Sequence, residues 1–260
     1  VGEVVQILGQ SQPRVSRHIR ILDEAGIAER RKEGSWVFLR PGPVLASGML
    51  DPFFEATSSE GRFIQRDLAK LEEVRGTRAE MAASYFASHA DQWDRLRSLH
   101  VAESEVEAAM ASILRTAPLG EVLDIGTGTG RMIELFASEA DRFVAIDNST
   151  EMLRLARAKL ASMAEVDTAR TEIMLGDFNA LPLADASFDT VIFHQVLHYA
   201  QHPEHVIAEA GRVLAPGGRL LIVDFAQHDR EELRTVHAHA RLGFADELIA
   251  RAFANANISL

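Results

Sequence analysis

Nine residues from Val122 to Gly130, VLDIGTGTG, set glycines at 126, 128 and 130 directly behind an apolar, β-branched-rich run. Alternate glycines let backbone amides come close to a ligand, and the helical periodicity after Arg131 puts a helix N-terminus beside them. Asp124 lies two residues ahead of the first glycine. A second apolar run, Phe143 to Ile146, ends at Asp147, 21 residues past Gly126. An acid at the tip of a second strand is where a ribose diol is held. Dinucleotide spacing would need glycine three residues beyond Gly128, and that position is Arg131. Taken alone, the glycines also fit an ordinary tight strand–helix turn.

Three further segments bear on that choice: GDFNALPL from Gly176, FDTVIFHQVLHY from Phe188 to Tyr199, and LAPGGRLLIVD from Leu214 to Asp224. With the glycine loop they resemble, in order, the nucleotide loop and later strands of class I S-adenosylmethionine (SAM) methyltransferases. The resemblance implies a Rossmann-like α/β sheet with helices on both faces, and SAM as cofactor. It implies a small-molecule methyl acceptor and S-adenosylhomocysteine (SAH) as product or effector. Cofactor contacts implied by position are the loop Gly126, Gly128 and Gly130, with Asp124 acting through the loop amides or a water. Asp147 would take the ribose hydroxyls with Asn148 beside it and Met152 on the adenine, while Asp177 and Phe178 would meet the adenine amine and ring. His194 and Gln195 would lie where the methyl group points. Upstream, Tyr85-Phe86 and Trp93-Asp94 in YFASHADQWD resemble the lid of menaquinone/ubiquinone-type methyltransferases, with Tyr85 over the cofactor; packing onto the sheet is the alternative.

Methyl transfer is an in-line displacement that needs alignment and exclusion of water, so a base is optional. His194 is the candidate base, with a hydrogen-bonding role as its alternative. His194, His198 and His202 recur every four residues. A metal reading would need one uninterrupted helix, which the strand-like VIFH and Pro203 oppose, so no metal is expected. His237 and His239, with Glu231 and Glu232, are expected on a solvated helix.

The first fifty residues differ in character. Val1 to Leu8 reads as a short helix, Ser11 as an N-cap with Pro13 in the following first turn, and Val15, Ile19 and Leu22 as its inward stripe. Gln12, Arg14, Ser16, Arg17, His18 and Arg20 face the other way. Gly26 ends the helix, and Ala28 to Arg40 alternates as a hairpin around Glu33-Gly34, carrying Arg30, Arg31 and Lys32. Helix, tight turn, basic helix and basic hairpin make a winged helix-turn-helix layout, suited to double-stranded operator DNA. The string SQPRVSRHIRILDEAGIAERRKEGSWVFLR resembles the ArsR family of bacterial repressors. That resemblance implies base contacts from the helix residues just named, phosphate contacts from Arg31 and Lys32, and a homodimer. The chain has no cysteine, which speaks against the metal-sensing cysteine pairs of that family.

These elements divide the chain into a winged helix-turn-helix over 1–45, a linker and dimer helix over 46–84, and a methyltransferase domain over 85–260, with both ends expected to be incomplete. Pro41 to Ser59 reads as irregular linker, and Arg62 to Met81 as an exposed helix weakened at Gly76. Residues 1–50 carry seven Lys/Arg and five Asp/Glu within a chain of net charge −11, so a basic module joins an acidic one. With 47% hydrophobic residues, both can bury cores. No apolar run reaches membrane-spanning length and no signal peptide is present, so a cytoplasmic protein without a membrane partner is expected.

Overall fold

The computed structural model describes residues 1–33, 36–57, 61–89 and 103–259. The chain forms two compact units, one of residues 1–82 with 229–231, the other of residues 83–228 and 232–260.

In the first unit, α1 (Gly2–Leu8) is followed by α2 (Gln12–Glu24), the hairpin β1 (Ala28–Glu33) and β2 (Trp36–Pro41), then α3 (Pro43–Ala46) and α4 (Asp51–Thr57). Pro13 lies in the first turn of α2, where its missing amide costs nothing, but the Ser11 cap makes no side-chain hydrogen bond. Val15 and Ile19 are buried. Leu22, expected on the same stripe, is 39% exposed. It falls in the last turn, just before Gly26 (φ +67°) redirects the chain, where no described element of this unit covers it. The hairpin is antiparallel from Ala28 opposite Pro41 to Glu33 opposite Trp36, and its turn at 34–35 lies outside the described residues. The stretch read as irregular linker holds two short helices instead. Pro43 starts α3 behind an extended Gly42, and Asp51 supplies an acid to the first turn of α4.

Helix α5 (Arg62–His89) runs beyond the expected Met81, and the boundary between the units falls inside it. Gly76 weakens a helix by about 1 kcal/mol relative to Ala. Here it does not end one.

The second unit is a five-stranded sheet of β3 (Glu121–Ile125), β4 (Arg142–Asp147), β5 (Thr171–Leu175), β6 (Phe188–His194) and β7 (Leu214–Val223). The order is β5-β4-β3-β6-β7 with all pairs parallel. Successive strand residues point to opposite faces, which explains the near-continuous apolar runs. Leu123, Ile125, Val144, Ile146, Val191 and Phe193 enter one core, shared with α9 (Pro203–Val213) and α11 (Asp246–Asn255). Val122, Phe143, Ala145 and Ile192 enter the other, with α6 (Glu103–Leu114), α7 (Arg131–Phe136) and α8 (Thr150–Ser162). Between β6 and β7 the register shifts after Phe188, and Gly217 (φ +80°) absorbs the expected reverse turn into an irregular strand start. A last helix, α10 (Glu231–Val236), follows β7. No described helix is long and apolar enough to cross a membrane. Strand order reverses beside β3, so the carboxyl ends of β3, β4 and β6 frame the crevice where ligands bind such sheets.

Candidate functional site

The loop after β3 is tied to its neighbour strand: the amides of Gly126 and Thr127 both donate to the Ile146 carbonyl, at 2.8 and 2.9 Å. Gly126, Gly128 and Gly130 all have positive φ, +75°, +55° and +85°, a region that L side chains rarely adopt. Gly126 is constrained twice, because a Cβ there would stand 2.2 Å from Val196 Cγ2. Gly130 is the N-cap of α7, and its missing Cβ brings the turn against Ala156 of α8. Thr127 is buried, and its hydroxyl has no hydrogen-bond partner among the described residues.

Asp147, the last residue of β4, closes this loop. Its Oδ2 accepts the Gly128 amide at 2.9 Å and its Oδ1 the Ser149 amide at 2.9 Å. Burial pushes its carboxyl above the usual range, while the amides of Ser149, Gly128 and Asn148 pull it back. The residue nonetheless keeps some surface open, so it lines a recess rather than a sealed core. Ser149 then caps α8 by accepting the Met152 amide at 3.3 Å. Met152 is buried and Asn148 exposed. Asp124 lies in mid-strand, 1% exposed, on the sheet face of Val122.

Asp177 and Phe178 follow β5. Asp177 is exposed and its Oδ1 accepts the amide and the side-chain amide of Asn179, at 2.8 and 2.7 Å; Phe178 packs against the first core. His194 ends β6, 8% exposed, opposite Val223 of β7. Gln195 takes φ +54° and donates its amide to the Val223 carbonyl at 2.7 Å. Tyr85, near the end of α5, shares a 2.7 Å hydrogen bond with His237 Nδ1 and stacks on His89. Burial raises its phenol pKa. Trp93 and Asp94, the other half of the expected lid, lie outside the described residues.

The Tyr199 phenol shows which of these groups share one place. Burial raises its pKa well above the ordinary value, and the negative charges of Tyr85, Asp224 and Asp147 push it further. Tyr85, Asp147, Tyr199 and Asp224 therefore stand within electrostatic range of one another. Tyr199, like Asp147, keeps part of its surface open. Behind it, His198 donates or accepts at Nδ1 with Asp224 Oδ1 at 2.7 Å, and both side chains are almost completely buried. The His198 ring stacks on His239 at 4.0 Å and lies against Tyr199 at 4.1 Å and Phe225 at 5.2 Å.

This histidine–carboxylate pair was not among the expected site residues. Its members are 26 positions apart, a pairing without a local sequence signal, although both stand at strand ends. His239 corrects an expectation. It is 6% exposed, because α10 stops at Val236 and Ala238 (φ +58°) turns the chain inward. Of the histidines spaced by four, His194 ends a strand, His198 lies in the 3-10 turn Leu197–Tyr199 and His202 caps α9. No group of three or more His, Asp or Glu among the described residues could hold a metal ion.

In the first unit, Gln12, Arg14, Ser16, Arg17, His18 and Arg20 are all exposed along α2. Only Arg20 among its arginines has an ion pair, with Glu24 at 3.8 Å. Lys32 is exposed on β1, which also carries Arg31, while Arg30 is held by Asp23 at 2.8 Å.

Comparison with known proteins places families on both units. Residues 123–222 match the methyltransferase-domain model, and residues 1–30 match the model for bacterial regulatory proteins of the arsR family. An uncharacterized 37.1 kDa protein in a transposon of Streptomyces fradiae is 32% identical over 183 residues, covering 69% of this chain and 50% of that protein. A demethylmenaquinone methyltransferase of Renibacterium salmoninarum is 33% identical over 120 residues, 46% of this chain and 47% of that enzyme. The chain thus spans about half the length of these two relatives. A chain from the complex between a Haloferax volcanii methyltransferase activator and the putative methyltransferase superposes with TM-score 0.55 at 26% identity, covering 66% of this chain and 75% of that one.

Proposed function

We propose, for a chain that carries an arsR-family helix-turn-helix and a Rossmann-like methyltransferase domain, that the second unit binds SAM and methylates a small molecule while the first binds operator DNA. The observation that carries the cofactor reading is Asp147, a partly open carboxylate at a strand tip, fixed by the Gly128 and Ser149 amides beside a loop too close for any Cβ at Gly126. The buried Thr127 hydroxyl, with no partner among the described residues, adds a polar atom for a ligand to satisfy. These features fit the adenosyl part of SAM. The group supplies an electrophilic methyl on sulfur. The chain's own residues have other tasks: Asp147 to hold the ribose hydroxyls, the loop amides to meet the remaining polar edge, and Tyr85 with Tyr199 to exclude water from the methyl.

Tyr85, Tyr199, Asp147 and Asp224 gathered at one recess favour retained catalysis over a purely regulatory pocket, since binding alone needs no second cluster on the far side of the carboxylate. On the DNA side, the exposed face of α2 offers Gln12, Arg17 and Arg20 to base edges, and the hairpin offers Arg31 and Lys32 to phosphates. We assign a homodimer and a cytoplasmic location with this reading. Calorimetric titration with SAM and SAH tests it. Wild type should bind both, Asp147→Ala should bind neither, and binding retained in that variant would refute the ribose assignment.

A further inference from the structure

The His198–Asp224 pair is not used by the cofactor reading, yet it has the features of a base. Asp224 binds His198 twice: Oδ1 meets the ring Nδ1 at 2.7 Å and Oδ2 accepts the His198 amide at 3.2 Å. Oδ1 also accepts the Phe225 amide at 2.8 Å. A carboxylate in that position selects the tautomer with the proton on Nδ1, which leaves a lone pair on Nε2. His198 is 2% exposed and its Nε2 has no partner among the described residues. A buried acceptor left bare is costly unless a ligand's donor completes it. The ring is next to Tyr199, which is partly open and in electrostatic range of Asp147, so Nε2 is one ring away from the recess. Its surroundings are aromatic: Tyr199, Phe225 and His239 contact it, and Phe86 stands edge-on to Tyr199 at 4.9 Å.

We propose that His198, oriented by Asp224, is the general base of the methyl-transfer site and that the acceptor is a neutral, weakly acidic hydroxyl on an aromatic ring. The proposal rests on the methyl-transfer reading above. In the step, the acceptor's O–H bond breaks and its proton goes to Nε2. The oxygen's electron pair forms the bond to the methyl carbon, and the methyl–sulfur bond breaks with its pair left on sulfur. The imidazolium that results is balanced by Asp224 and gives its proton to solvent after product release. A thiol, largely ionised near neutral pH when its pKa is lowered, would need no such base. The charged or titratable groups facing His198 are Asp224 from the end of β7, Tyr199 from its own turn, and His239 from the segment after α10, where the Arg241 amide also binds the His198 carbonyl at 2.9 Å.

The test uses the full chain, a panel of simple phenols as probes, and three readouts. SAH affinity by calorimetry should be equal in wild type, His198→Asn and His198→Gln, which also shows that the variants are folded. SAM consumption with phenols should fall about 10²–10⁴-fold in both variants and lose the wild-type rise with pH. Nitrogen-15 spectra of the wild-type SAH complex should show His198 protonated on Nδ1, with the Nε2 signal moving when phenol is added. An unmoved Nε2 signal, undiminished variant rates, or wild type that binds SAM but methylates no phenol would each overturn the inference while sparing the cofactor reading. Wild type that binds neither SAM nor SAH would overturn both.

Discussion

Replacing Gly126 by Ala tests the glycine loop where its geometry is tightest. Two costs add. An Ala at φ +75° sits in the left-handed region, a cost of about 1–2 kcal/mol. Its Cβ would stand 2.2 Å from Val196 Cγ2 and 2.8 Å from Val196 Cβ, and a β-branched neighbour has little rotamer freedom with which to yield. Forcing such a contact costs about 1–3 kcal/mol. The smaller entropy of the unfolded Ala chain returns about 0.4–1 kcal/mol, for a net loss of about 2–4 kcal/mol. Because the Gly126 and Thr127 amides are anchored on the Ile146 carbonyl, relaxation should move the loop and weaken SAM binding as well. The assay is a double-mutant cycle in urea with Gly126→Ala, Val196→Ala and the pair. The pair should recover the steric part, giving a coupling of about 1–3 kcal/mol, and retain the backbone part. A Gly126→Ala protein within about 0.5 kcal/mol of wild type, or a cycle without coupling, would refute the loop conformation.

Three other perturbations follow from the same geometry. Burial raises the Asp147 carboxyl, so the folded state holds that proton more tightly than the unfolded chain does, and the residue's contribution to stability falls as pH rises towards its raised pKa. Asp147→Asn should therefore gain stability relative to wild type between acid and neutral pH in parallel thermal melts, while losing SAM affinity; a gap that shrinks with rising pH would contradict this. Glu209 has the opposite sign: the Arg212 hydrogen bonds lower its pKa, so its stabilisation is present above the unfolded pKa and lost as pH falls through the lowered one. Glu209→Gln should cost about 1–2 kcal/mol at neutral pH, since the pair is only partly exposed and Glu209 also accepts the Leu181 amide, and should approach wild type in acid melts. Arg17→Ala should weaken operator binding in fluorescence anisotropy and lower the salt slope by about 1 if it meets a phosphate, leaving SAM affinity intact. Undiminished DNA affinity would remove α2 as the reading helix.

What the sequence disclosed is what is written locally. Strands β3, β4 and β6 are nearly continuous apolar runs because both sheet faces are covered, and the glycine spacing follows from backbone geometry within a few residues. Asp147 was legible for the same reason: it closes its own strand beside the loop it binds. The His198–Asp224 pair was not, because its partners meet only once β6 and β7 are adjacent. His239 misled because charged neighbours suggested a solvated helix, whereas the non-glycine turn at Ala238 sends it inward. Leu22 misled for a related reason. A correct helical period says which residues share a face, but not how far along the helix a partner extends.

Whether the pocket serves catalysis or regulation is a question of linkage. A ligand changes DNA affinity only by the difference between its affinities for the free and DNA-bound forms, and DNA must change the ligand's affinity by the same factor. A regulatory pocket would show a coupling of about 1–3 kcal/mol, a 5–150-fold change, in both directions. The recess around Asp147 is assembled from β3, β4, the turn after β6 and the end of β7, all within the second unit, with Tyr85 its contribution from α5. An enzyme tethered to a regulator needs nothing more, so SAM and SAH affinities should agree within about twofold with and without operator DNA, well below that coupling range. Calorimetry in the two states decides it. A shift of tenfold or more with DNA, mirrored when SAH is added to the DNA titration, would replace the tethered enzyme by a SAM-responsive repressor.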